Sequence, residues 1–137
     1  AGIKRINVSL DSLDENRFKA MTRTGQLQTV LRGIEAAREA GFKRIKLNSV
    51  ILKNRNDDEV LPLVKFAVEK DLDICFIEEM PLGVIGDHDR AELYCSSDEI
   101  RNIISRSFRL VPSTETTGGP SRYYKIPDIR TKVGFIS

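Results

Sequence analysis

Polar side chains interrupt three otherwise apolar, β-branched segments, and together they could line a binding mouth. In the first segment Ile6, Val8 and Leu10 alternate with Asn7, Ser9 and Asp11. Successive strand side chains point to opposite faces, so the amide, hydroxyl and carboxylate share one side. In the second, Lys46 and Asn48 lie opposite Ile45 and Leu47. The third runs through Ile74, Cys75, Phe76 and Ile77 into Glu78, Glu79 and Met80. Parallel strands packed between helix layers are normally apolar on both faces. A polar face near the C-terminal strand ends is instead how a barrel enzyme builds its site.

Other candidate groups have simpler readings. The Asp87-His88-Asp89 run offers one imidazole between carboxylates, but a lone histidine in a charged loop is better read as solvated than as a metal ligand. Residues Asn54–Glu59 are acid-rich, yet they lack the glycine and spacing of a calcium loop, and helix capping accounts for them. Gly118-Gly119-Pro120 reads as a turn, because no helix follows to hold a phosphate. Cys75 and Cys95 are the only cysteines and form no CxxC pair. No metal site is therefore expected.

Two periodicities alternate along the first 81 residues. Strands are expected at Lys4–Leu10, Arg44–Leu52 and Asp73–Met80. A short helix at Asp14–Met21 has Ser12 or Asp14 to cap it. A longer helix spans Gln26–Ala40, where Leu27, Val30, Leu31, Ile34 and Ala37 recur at helical spacing and Gly41 supplies the stop. A third helix, capped by Asp57 or Asp58, reaches Glu69 with Pro62 in its early turns. Right-handed crossovers make these strands a parallel sheet. The fold class is α/β, a partial (β/α) barrel, since three strands cannot close one. Residues 1–81 form that piece, and residues 82–137 a linker and smaller α+β extension. In the extension Ser96 and Glu99 have capping-box spacing before a helix at Ser97–Ser107. Strand-like runs follow at Phe108–Val111, Arg122–Ile126 and Lys132–Ile136.

Composition excludes several classes of function. The net charge of +2 comes from interspersed acids and bases, which gives no footprint for nucleic acid. No apolar run approaches a membrane span and no signal-peptide pattern opens the chain, so a cytoplasmic protein is expected.

Five segments in register carry a family resemblance: Ile3–Leu13 (IKRINVSLDSL), Ile45–Asp58 (IKLNSVILKNRNDD), Phe76–Pro81 (FIEEMP), Gly119–Tyr124 (GPSRYY) and Val133–Ser137 (VGFIS). Together they resemble the central part of the radical-SAM GTP 3′,8-cyclases of molybdenum cofactor biosynthesis. That resemblance implies a protein that uses S-adenosylmethionine (SAM) and two [4Fe-4S] clusters to convert GTP to the cyclic pyranopterin precursor. It implies that Ser9 and Met80 contact SAM and that Lys46 contacts GTP. The side-chain chemistry suits those roles: a hydroxyl, a polarizable thioether and a compact cation.

The departures from the family pattern are as informative. Neither the N-terminal CxxxCxxC set nor the C-terminal cysteine set is present. The resemblance therefore places this chain as a fragment between them, inactive alone. The family's glycine-rich SAM motif is missing as well, and Cys75 stands where an arginine is usual. Another radical-SAM enzyme with a different substrate, or a non-catalytic barrel-like binding module, remains open. A fragment of this kind is expected to form a homodimer through an unpaired strand edge, Ile6–Leu10 or Ile74–Met80.

Overall fold

A computed structural model describes residues 5–22, 25–42, 44–78, 94–113 and 122–136. Strand β1 (Arg5–Ser9) leads through helices α1 (Glu15–Thr22) and α2 (Leu27–Glu39) to β2 (Arg44–Val50). A 3₁₀ turn (Asp57–Glu59) and α3 (Val60–Lys70) precede β3 (Asp73–Ile77). Helix α4 (Ser97–Ser105) and strands β4 (Val111–Pro112), β5 (Arg122–Ile126) and β6 (Ile129–Ile136) complete the order.

The six described strands form one sheet, ordered β1-β2-β3-β6-β5-β4. Strands β1, β2, β3 and β6 are mutually parallel, while β5 runs antiparallel to both β6 and β4. The segment expected as an extension thus contributes a fourth parallel strand. Insertion of β6 also leaves Ile74–Ile77 paired on both sides, so that stretch is no free edge for a dimer. The edge strands of the described sheet are β1 and β4.

One face of the sheet carries the core. Ile45, Leu47, Ile74, Phe76, Val133 and Phe135 join Leu27 and Ile34 of α2, Leu63 and Val64 of α3, and Ile100 and Ile104 of α4 in one buried cluster. Phe76 stacks on Phe135 with ring centroids 6.1 Å apart, and Tyr124 meets Phe135 edge-on at 5.5 Å. Buried apolar area of this kind contributes roughly 25 cal/mol per Å², so this face is what holds the sheet to its helices.

The helix ends follow local chemistry. Asp14 caps α1 by accepting from the Arg17 N–H at 2.9 Å, and Ser96 caps α4 by accepting from the Glu99 N–H at 3.1 Å. Gly41 ends α2 at φ 86, a left-handed conformation that lets the Phe42 N–H return to the Ala37 carbonyl at 3.3 Å. Asp71 does the same for α3 at φ 58.

Three expectations need correction. Asp57 and Asp58 do not cap α3; they lie in the 3₁₀ turn, and Glu59 stands at the N-cap without a side-chain cap bond. Asp58 is drawn instead to Arg17 at 2.6 Å. The strand expected at Phe108–Val111 forms at Val111–Pro112, where it finds β5. The last strand starts at Ile129, three residues earlier than its apolar run suggests, because it turns directly out of β5.

Candidate functional site

The register places the sequence-predicted polar groups on the face opposite the core. Ser9, Asn48, Cys75, Gly134 and Tyr123 are successive register partners across β1, β2, β3, β6 and β5. Partners in register point to the same side, so these five form one row. Asn7, Lys46 and Asp73 form the next row. Ser9 and Asn7 are exposed and Lys46 is half-buried. The structure thus brings Ser9 and Lys46 together on neighbouring strands, one row apart. Met80 lies outside the described residues.

The Lys46 ammonium has a neutral partner. Its Nζ donates to the Tyr123 hydroxyl at 3.2 Å, and it stands 5.9 Å from the Tyr123 ring centroid. The neighbouring carboxylate, Asp73, is held elsewhere. Arg44 forks onto both of its oxygens, with Nε to Oδ2 at 3.1 Å, and the Lys132 N–H donates to Oδ1 at 2.9 Å. Among the described residues no carboxylate pairs with Lys46. A phenol leaves the positive charge unneutralised, which suits a cation kept for an anionic ligand.

Glycine at position 134 makes the contact feasible. Tyr123 and Lys46 stand on strands separated by β6 and β3, a span of about three inter-strand spacings of ~4.8 Å. Both side chains must therefore lie across the sheet. A Cβ on Gly134 would stand 2.9 Å from Tyr123 Cε1 and 3.3 Å from Cys75 Sγ. The bare glycine is the slot that admits the ring, and Tyr123 is only 8% exposed there.

Polar cross-links secure the C-terminal ends of β1 and β2. Buried Asn56 donates to the carbonyls of Asp11 at 2.6 Å and Val50 at 2.9 Å, and accepts from the Leu52 N–H at 2.8 Å. Asp11 accepts from the Val50 N–H at 2.8 Å, and the Ser49 hydroxyl donates to the Leu10 carbonyl. Glu59 accepts from the Ser12 hydroxyl at 2.6 Å and the Leu13 N–H at 2.7 Å. Arg17 lies 3.2 Å from Glu59 and 2.6 Å from Asp58. Its hydrogen bonds to those carboxylates raise the guanidinium pKa, and the Arg17 contact lowers that of Asp58. Sequence reading missed Glu59 and Asn56 as organising residues. An acid beside the apolar run Val60–Val64 was the one available signal.

Glu78 has a structural role. Its backbone N–H extends the ladder to the Ile136 carbonyl at 2.7 Å. Its carboxylate accepts from the Ser97 N–H at 2.8 Å and from the Tyr94 hydroxyl, which satisfies the start of α4 and suits the helix dipole. A cavity of about 280 Å³ lies beside it, lined by Tyr94, Arg101, Arg122 and Phe135 among others.

Both cysteines are buried, Cys75 on β3 and Cys95 just ahead of α4. Burial, then the carboxylates of Glu99 and Asp57, pushes the Cys95 thiol up to about 11. Among the described residues no group of three His, Cys, Asp or Glu side chains could hold a metal. Asp87, His88, Asp89 and Gly118–Pro120 lie outside the described residues. Among the described residues no helix is long and apolar enough to cross a membrane.

Residues 1–67 match the profile of the radical SAM superfamily, and residues 72–137 match the profile described as Molybdenum Cofactor Synthesis C. A GTP 3′,8-cyclase of Pseudomonas entomophila is 58% identical over the whole of this chain, which covers 41% of that protein. One from Marinobacter nauticus is 57% identical, with 42% of it covered. The chain is similar to GTP 3′,8-cyclases along its whole length. Pseudomonas aeruginosa has a further member, GTP 3′,8-cyclase 2, 59% identical over all of this chain and 41% of its own length. The chain thus spans about two fifths of the curated relatives it matches. Ser9 and Lys46 lie within the first matched region, Tyr123 and Gly134 within the second, and strands of both regions form one sheet.

Proposed function

We propose that this chain forms the nucleotide-binding side of a GTP 3′,8-cyclase of molybdenum cofactor biosynthesis. The observation that carries the reading is the Lys46 ammonium, half-buried on the polar face and held by the neutral Tyr123 hydroxyl. An ammonium so placed gains most from an incoming anion, and a nucleotide phosphate fits. Exposed Ser9, one strand away, offers a hydroxyl to SAM, and Met80 supplies an apolar wall for its adenosyl group. When bound, SAM supplies one-electron chemistry at the ribose of the nucleotide. The chain's own residues bind and orient the two ligands against each other.

The iron–sulfur clusters do not fit this chain. With two cysteines in all, buried apart, it lacks the thiolate set such a cluster needs. We therefore read the chain alone as inactive, with cluster ligands supplied by other parts of the full-length protein. The parallel run β1-β2-β3-β6 supports a partial barrel whose lumen is the polar face. Residues 1–81 then form the barrel piece, and residues 82–137 the extension that returns β6 to it. A cytoplasmic homodimer, with GTP as substrate and neither nucleic acid nor membrane as partner, completes the reading.

The test is anaerobic turnover of the full-length holoenzyme with SAM and GTP. A 3′,8-cyclised guanosine triphosphate product is expected. SAM cleavage that GTP leaves unchanged, while another substrate stimulates it, would overturn the substrate assignment.

A further inference from the structure

We infer that Tyr123 is a positioning residue for Lys46: its hydroxyl aims the ammonium at a nucleotide phosphate, and Gly134 is the slot that permits it. The inference rests on the reading that Lys46 meets a phosphate, and it adds two residues to that site from β5 and β6.

The geometry carries it in three steps. Lysine has a flexible four-carbon stem, so a free ammonium loses considerable rotamer freedom when a ligand fixes it. The Tyr123 hydroxyl accepts from Lys46 Nζ at 3.2 Å, which occupies one donor and leaves the others for an anion. The tyrosine is itself confined, because the residue is 8% exposed and its ring packs over Gly134 beside the buried Cys75. A carboxylate in the same place would neutralise the cation and compete with the ligand; a phenol orients without cancelling charge. Arg44 and the Lys132 N–H engage Asp73, the carboxylate nearest in register to Lys46. That engagement keeps the tyrosine as the ammonium's described partner.

A merely structural tyrosine would make the same contacts, and the two roles separate in a double-mutant cycle. In the full-length holoenzyme, Tyr123→Phe should weaken GTP binding about three- to tenfold, the net effect expected of one hydrogen bond. It should raise KM for GTP while leaving kcat unchanged, and it should leave binding of SAM and of phosphate-free guanosine unchanged. In the Lys46→Met background the same change should have no further effect on GTP. Gly134→Ala, which drives a Cβ into the ring, should reproduce Tyr123→Phe. Full GTP affinity in Tyr123→Phe, alongside a loss in Lys46→Met, would overturn the inference and spare the phosphate reading. Equal losses for GTP and guanosine, or an equal loss in both backgrounds, would overturn it as well. Full GTP affinity in Lys46→Met would overturn the phosphate reading itself and take the inference with it.

Discussion

Ser12 donates its hydroxyl to Glu59 Oε2 at 2.6 Å, and the two side chains close the turn after β1 against the start of α3. Glu59 is 7% exposed and Ser12 fully buried. A buried carboxylate is stable only where donors meet it, and the Leu13 N–H and Arg17 join Ser12 in doing so. The pair fixes where β1 ends, and therefore where Ser9 is presented.

Glu59→Ala should consequently be costly well away from any ligand. It removes the acceptor of the Leu13 N–H and the nearer acceptor of the buried Ser12 hydroxyl, which is left with only the Asp14 carbonyl at 3.3 Å. A loss of about 2–4 kcal/mol is expected from the unmet groups, read as a lower midpoint in denaturant unfolding of the full chain. Glu59→Gln, which keeps one acceptor, should lose less. Equal stability of Glu59→Ala and the parent would contradict the role.

Asn56 offers a parallel test on the other loop. Its side chain makes three hydrogen bonds to backbone groups of Asp11, Val50 and Leu52. Asn56→Ala should cost about 2–3 kcal/mol by removing the partners of three part-buried backbone groups. Asn56→Asp should also destabilise, because a carboxylate cannot donate to the two carbonyls. Unchanged unfolding in either variant would remove Asn56 from the account.

The Cys95 thiol gives a pH prediction with a definite sign. Burial holds its folded pKa at about 11, above the ordinary value of 9.0. The folded state therefore keeps a proton that the unfolded chain releases. The stability linked to Cys95 should be fully present below pH 9 and fall as pH rises toward 11. Native alkylation at pH 8 should also be slow, since the thiol is 1% exposed and protonated. Rapid labelling of Cys95 in the folded chain would contradict both the burial and the shift.

Local patterns made much of this fold legible. The apolar spacing of Leu27, Ile34 and Ala37 marked α2, and Gly41 marked its end. Alternation in β1 and β2 put Ser9 and Lys46 on the polar face before any strand pairing was known. The parallel run of β1, β2 and β3 was legible too, but the place of β6 was not. The insertion of β6 between β3 and β5 depends on contacts between distant segments, and no local period encodes such an order. Tyr123 lies 77 residues from Lys46, and its role depends on the bare backbone at Gly134. Glu59 escaped for a related reason: an acid at a helix start reads as a dipole or cap residue, and only the folded chain brings Ser12 and Leu13 to it.

The most direct test of the central claim is a reciprocal binding experiment on the full-length holoenzyme. Calorimetric titration of Lys46→Met should show GTP affinity lowered by about one to two orders of magnitude, the worth of one charged hydrogen bond at 1.4 kcal/mol per decade, with SAM affinity unchanged. Ser9→Ala should do the opposite, weakening SAM and sparing GTP. Intact GTP affinity in Lys46→Met, or equal loss of both ligands in either variant, would contradict the claim that Ser9 serves SAM and Lys46 serves GTP on this sheet face.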